Sequence, residues 1–227
     1  MSTVVAIDGP AGAGKSTVAK KLAAHLGVAY INTGSLYRAL ALAAVEAGLD
    51  PNEDLPKDFL AAQHLKFRGE TLFLNGTAPG DALRSAECAA NASLVSKQPE
   101  VRKFLLSVQR DAAKEQWIVM EGRDIGTVIF PDARIKFFVT ASLEERAKRR
   151  LAQQGEIAAG ADLDSVMADI RRRDERDAKR ETAPLRPAED AVMVDTTGLT
   201  IDEVVELLAR HCKAAGVPCN RPADPKE

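Results

Sequence analysis

Cysteine occurs only three times in this sequence, at Cys88, Cys212 and Cys219. No two of them form a CxxC pair, and an odd number does not suit the even set of a secreted disulfide framework. Reduced thiols without a functional role are expected. Histidine is as rare: His25, His64 and His211 lie far apart, without metal-ligand spacing, and are read as structural or surface residues. An excess of charge of one sign is also missing. The formal net charge is -2, which gives no bulk basic signal for nucleic acid or an anionic membrane. Phosphate recognition must then come from local clusters. No apolar run reaches the roughly 18 residues needed to cross a bilayer. Met1-Ser2-Thr3 enters Val4-Val5-Ala6-Ile7 without the basic lead of a signal peptide. A cytoplasmic protein with no nucleic-acid or membrane partner is expected. Without a sustained heptad or a large apolar surface motif, a monomer is expected too.

What the chain has is an ordinary globular composition, 45% hydrophobic and 28% charged over 227 residues. At about 100–200 residues per domain, this suits one domain carrying an insert, and it is long enough to bury a core without staples. Residues 4–7 read as a buried strand closed by Asp8-Gly9-Pro10. Val18, Leu22 and Leu26 then recur at helical spacing up to Gly27. Residues 28–31 suggest a second strand, followed by a turn at 32–35 and a helix over about 36–47. Residues 51–63 are charged and in part helical. Between His64 and Leu83 the pattern alternates, and Asn75-Gly76 predicts a hairpin turn in a small antiparallel insert. Helical patterning returns over 84–116, broken near Pro99. Strands are predicted at 117–120, 135–139 and 192–194. Capping boxes at Ser142 and Thr200 open helices, and a basic helix is predicted over 163–180. Residues 155–161 suggest a mobile loop, and 216–227 a loose tail. Alternating strands and helices imply a parallel sheet covered on both faces. Ligands gather at the carboxyl ends of such strands, which would align residues 8–9, 33–34 and 121–124 on one rim.

Residues 9–16, Gly-Pro-Ala-Gly-Ala-Gly-Lys-Ser, complete the P-loop pattern directly after the first strand. Gly9, Gly12 and Gly14 let the backbone curl with its N–H groups inward, and the helix starting near Lys15 adds its positive end. Pro10, Ala11, Ala13 and Thr17 complete the expected ATP-binding segment. Lys15 should reach the β- and γ-phosphates, and the Ser16 hydroxyl should help to hold Mg²⁺. A P-loop alone says only nucleoside triphosphate. The guanine-reading Asn-Lys-x-Asp pattern is absent, and the chain is short for a motor, which leaves small-molecule kinases needing an acceptor site.

Three clusters suit that second site. Arg38 follows Thr33-Gly34-Ser35, about one helical turn in, where it could meet an acceptor phosphate; a plain surface arginine is the alternative. In residues 121–124, Glu-Gly-Arg-Asp, charges follow directly on a buried strand. Arg123 can clamp a phosphate bidentately and Asp124 can accept from an amino group; a local ion pair stiffening the loop is the alternative. In the third cluster, at about 100° per residue, Arg173, Asp177 and Arg180 share a helix face, against the alternative of a solvated helix of i,i+4 pairs. Arg146, Lys148, Arg149 and Arg150 form a fourth basic patch.

The motifs Ile7 to Thr17, Thr33-Gly34-Ser35-Leu36-Tyr37-Arg38, Glu121 to Pro131, Arg173 to Asp177 and Ala183-Pro184-Leu185 resemble those of bacterial cytidylate kinases, nearly over the whole chain. The resemblance implies a P-loop nucleoside monophosphate kinase fold over residues 1–215. Its α/β core would be a five-stranded parallel sheet flanked by helices, with an acceptor-binding insert at about 64–85 and a short lid at about 151–163. It implies transfer of a phosphoryl group from ATP to CMP or dCMP, with Mg²⁺, in pyrimidine nucleotide metabolism. By motif, Arg38 and Arg123 look like ligands of the acceptor phosphate, with Thr33 beside it. Ser93, Arg102 and Asp124 look like cytosine readers, Arg173 and Asp177 like sugar ligands, and Arg180 like a further phosphate contact. Lys15, Arg123 and Arg180 would be the catalytic set. The chain departs from the family in having Thr33-Gly34 where Ser-Gly is common; either hydroxyl can donate. Left open are a kinase for another monophosphate or small acceptor, and an ATP-binding P-loop module without transferase activity.

Overall fold

Five short strands, buried throughout at the centre and only partly at the edges, make the central sheet. They are β1 (Val4–Asp8), β2 (Ala29–Asn32), β5 (Ile118–Glu121), β6 (Ile135–Thr140) and β7 (Val192–Asp195). All pairings are parallel, and the order is β2-β5-β1-β6-β7. The computed structural model describes residues 2–114, 116–152 and 160–219. The alternation of side chains along a strand decides what covers the sheet. On one face Val5 and Ile7 pack with Val18, Leu22 and Leu26 of α1 (Lys15–Leu26) and with Val204 and Leu208 of α8 (Ile201–Ala214). On the other face Val4 and Ala6 meet Ile31, Ile118, Met120 and Ile125. A run that is apolar at every position, such as Val4-Val5-Ala6-Ile7, suits a strand with no wet face.

A separate apolar cluster forms the wall facing the cleft. It joins α2 (Thr33–Glu46), α3 (Lys57–Ala61), the hairpin β3 (Leu65–Arg68) and β4 (Thr71–Leu74), α4 (Ala86–Val95) and α5 (Pro99–Asp111). A third unit pairs α6 (Leu143–Leu151) with α7 (Leu163–Ala178) through only a small core of Ala147, Val166 and Ile170.

Most expected elements form, within a residue or two. Three details differ. No turn precedes α2: β2 passes straight into the helix at Thr33, with Asn32 as its N-cap residue. The β3–β4 ladder is closed at residues 69–70, before the Asn-Gly pair. Asn75 and Gly76 do make a two-residue turn, both at positive φ, but it closes a single bridge between Leu74 and Thr77. Pro79 follows two residues later and cannot donate to a ladder. Third, Ser142 caps α6 by accepting from the Glu145 N–H, but the Glu145 carboxylate accepts from Arg149 at 2.9 Å rather than turning back. At Thr200 the reciprocal capping box is complete. Of the expected lid, residues 153–159 lie outside the described residues, as do 220–227 of the expected tail. Among the described residues no cysteine is in a disulfide and no helix is long and apolar enough to cross a membrane.

Candidate active site

The strand order makes the site. β5 lies between β2 and β1, with Glu121 in register with both Asn32 and Ile7. The chain segments leaving these three strands therefore emerge side by side, and they line one cleft of about 820 Å³. Lining it are P-loop residues 11–17, Thr33 and Arg38 from α2, Ser93 and Arg102 from α4 and α5, residues 121–124, and Arg150, Arg173, Asp177 and Arg180. Residues 33–34 and 121–124 of the expected rim line this space, residues 8–9 do not, and every expected acceptor-side residue borders it.

The donor side is a tightly fitted loop. Gly9 adopts φ 148°, and a Cβ there would sit 2.0 Å from the Val139 carbonyl oxygen, so only glycine fits. Pro10 is buried beside it. The loop is braced from outside by the α6–α7 pair. The Ala11 N–H donates to Asp174 at 3.0 Å, while Arg146 donates to the Ala11 carbonyl at 2.9 Å and to Asp174 at 2.5 Å. Lys15 is buried and donates to the Pro10 carbonyl at 2.7 Å. Burial, followed by the Arg123 charge, pushes its ammonium well below the ordinary lysine range. Ser16 and Thr17, by contrast, are exposed at the start of α1.

On the acceptor side the positive charge converges. Arg173 is pushed down to about 9, first by burial and then by Arg123, with Arg150 and Arg38 adding to the repulsion. Its Nε has no hydrogen-bond partner, nor does one Nη of Arg180. Unsatisfied guanidinium groups crowded by other arginines are what a bound multivalent anion would satisfy. Asp177 is the counter-charge. It accepts from Arg123 Nε at 3.1 Å and lies 3.5 Å from Arg180. Although burial opposes it, Arg123, Arg180 and Arg173 hold its carboxyl below the usual range. Thr33 donates to the Glu121 carbonyl at 2.8 Å. A Cβ on Gly122 would lie 2.7 Å from that same hydroxyl, so glycine is needed for the β2 and β5 ends to approach.

A profile of the family described as cytidylate kinase matches residues 5–214. The chain belongs to the cytidylate kinase family. A relative named cytidylate kinase from Pseudomonas aeruginosa strain PAO1 is 44% identical over 220 residues, 94% of this chain and 96% of its own. Another of that name, from Shouchella clausii, is 47% identical over 210 residues, covering 90% and 93%. Among solved structures, an uncharacterized protein from Eubacterium ventriosum superposes with a TM-score of 0.55 at 14% identity, covering 93% of this chain and 98% of that one. That likeness concerns the fold alone.

Several residues of this cytidylate kinase family member differ in detail from their expected environments. Asp124, read as an acceptor for an amino group, is buried at the edge of the cleft and ion-paired with Arg102, which also lies 5.7 Å from the Tyr37 ring centroid. The Arg102 guanidinium donates further to the Ser96 carbonyl at 3.2 Å. The Ser93 hydroxyl accepts from Arg176 at 3.0 Å. Arg38 donates to the Leu83 carbonyl at 2.7 Å. Helix α7 ends at Ala178, so Arg180 lies past its end and reaches the cleft by donating back to the Asp177 carbonyl at 3.2 Å. Sequence reasoning gave no role to Asp8, Tyr30, Arg176 or Asp174, although it set Asp8 on the rim and Asp174 and Arg176 in a charged cluster. Tyr30 donates to Glu121 at 2.5 Å and also interacts with Ser16 and Asn32. Asp8 and Arg176 act on partners 83 or more residues away, so no local pattern marks them.

Proposed function

We propose that this chain transfers the γ-phosphoryl group of ATP to the phosphate of CMP or dCMP, giving ADP and CDP or dCDP. The observation that carries this is the convergence of Lys15 with Arg38, Arg123 and Arg173 in one cleft, beside the buried Arg102–Asp124 pair. Phosphoryl transfer needs positioning and charge neutralisation more than covalent help. An acceptor oxygen of the monophosphate attacks the γ-phosphorus, and the bond from that phosphorus to the β-bridging oxygen breaks. With a second pKa near 6, the acceptor phosphate is largely dianionic at neutral pH, so no general base is required. Lys15 and the P-loop N–H groups hold the donor phosphates. Arg38, Arg123 and Arg180 hold the acceptor phosphate against its own repulsion. Arg173 and Asp177 face the sugar. Asp124, with Arg102 and Ser93, reads the base: a cytosine amino group donates to a carboxylate where a uracil carbonyl cannot. Leaving that pairing unmade costs about 1–3 kcal/mol.

Mg²⁺ fits the donor set. Among the described residues no group of three His, Cys, Asp or Glu side chains is disposed to hold a metal. The hydroxyl of Ser16 is exposed at the start of α1. Ser16 would be the protein ligand of an ion held otherwise by phosphate oxygens and water. When bound, Mg²⁺ supplies charge neutralisation on the donor phosphates.

The test is an acceptor panel of CMP, dCMP, UMP, AMP and GMP in a coupled ADP assay. CMP or dCMP should stimulate ADP release most. R38A and R123A should each raise the acceptor KM and lower kcat by about tenfold or more. The reading is overturned if CMP gives no more ADP than buffer while another acceptor does. Binding of ATP without stimulation by any acceptor would instead mark a non-catalytic P-loop module.

A further inference from the structure

Asp124 occupies the N-cap position of a single wide helical turn, Ile125–Ile129, yet it makes no capping hydrogen bond of its own. Aspartate at such a position ordinarily turns its carboxylate onto the next free N–H groups. Here that role has passed to another residue. Asp8, at the end of the neighbouring strand β1, accepts from the Ile125 N–H through Oδ1 and from the Gly126 N–H through Oδ2, both at 2.8 Å. Asp8 is only 4% exposed and does not line the cleft, so it is out of reach of a nucleotide there. Both its oxygens serve the turn. The Asp124 carboxylate, relieved of capping, pairs with Arg102 and faces the cleft.

Resting on the proposed reaction, we propose that Asp8 is a positioning residue for base selection. By capping the Ile125–Ile129 turn from the adjacent strand, it keeps the Asp124 carboxylate from folding back onto its own backbone. Asparagine at position 8 offers one acceptor oxygen and sets an amino group against the second N–H. That leaves one amide for Asp124 to satisfy, at the expense of its place at the base.

The experiment is steady-state kinetics on the full chain with CMP and UMP as acceptors, for the parent, D8N, D124N and the double variant. D8N should lower the CMP-over-UMP preference in kcat/KM by about tenfold, mainly through a higher KM for CMP, while the KM for ATP changes less than about threefold. Since Asp8 acts through Asp124, the double variant should lose little more preference than D124N alone. Unchanged preference in D8N, or penalties that multiply in the double variant, would overturn the inference while leaving the proposed reaction intact. A parent that does not use CMP would sink both, and this shows without any variant. Should D8N fail to fold, hydrogen exchange on the parent decides: the Ile125 and Gly126 amides should exchange as slowly as those of β1, and rapid exchange would refute the cap.

Discussion

At the scale of single residues, the site is stocked with buried charge that folding alone would not favour. Asp8 shows the sign of this clearly. Its carboxyl is raised from 3.8 to about 6, chiefly by burial and further by Asp124, while the Gly126 and Ile125 amides and Lys15 oppose the shift. The unfolded chain ionises near the ordinary value, so between those two pH values the folded protein keeps a proton that the unfolded chain has lost. The stability from this group is complete below the unfolded pKa and is lost as pH rises through about 6. At neutral pH the charge is therefore a burden on the fold, which is the pattern expected where a carboxylate is kept for its place in a site. D8N has nothing to titrate at this position. As pH falls from 7.5 to 5, the parent should gain on D8N by on the order of 1 kcal/mol, or roughly 3–5 °C in Tm. Thermal melts of both proteins at the two pH values check this. A difference that does not change with pH would show that Asp8 ionises normally.

At the scale of elements, helix α7 touches both sides of the cleft. Its Asp174 braces the P-loop at Ala11, and one turn later Asp177 balances Arg123 and Arg180. Replacing Asp174 removes an acceptor from a loop amide and leaves Arg146, buried against that loop, without its carboxylate. Hydrogen bonds to charged groups of this kind are worth about 1.5–3 kcal/mol. D174A should thus raise the KM for ATP by about tenfold or more with a much smaller change for CMP. Initial rates at saturating levels of the other substrate separate the two, and an equal effect on both would show that the brace acts on the whole cleft. The sequence made the elements themselves readable, because apolar runs such as residues 4–7 and 118–120 have no wet face and Thr200 with Glu203 is a local device. It misled where a local signal had to be weighed against its neighbours. Asn75-Gly76 specifies a turn but not how many residues pair beyond it, and Asn32-Thr33-Gly34-Ser35 reads as a turn although Thr33 opens a helix. Most residues that line the cleft stand in contiguous motifs, Ser93 and Arg102 in less distinctive stretches. Their partners, Arg176 for Ser93, Asp8 for the turn after Asp124 and Asp174 for Ala11, were not legible, since each contact joins segments brought together only by the sheet order.

At the scale of the whole molecule, the apolar clusters differ greatly in size, and this bears on motion. The sheet with α1 and α8 and the wall built on α2, α4 and α5 each hold a broad core. Among the described residues the α6–α7 pair has only Ala147, Val166 and Ile170 fully inside, and it is tied to the P-loop by polar bonds through Arg146, Asp174 and Arg149. Elements with few buried apolar contacts open first, and here that element carries Arg173, Asp177 and the chain to Arg180. Filling the cleft with anions would cancel the repulsion among these arginines and tie α7 to the rest of the protein. Hydrogen exchange should therefore find the amides of α6 and α7 less protected than those of β1 and β5 in the free protein. CMP together with a non-hydrolysable ATP analogue should slow α7 far more than the sheet. At a hundredfold excess over Kd, one ligand adds about 2.7 kcal/mol to global stability, a rise in Tm of roughly 5–10 °C. If α7 were already as protected as the sheet without ligands, the cleft would be preformed, and the positive charge in it would be held in place by the fold rather than by the nucleotides.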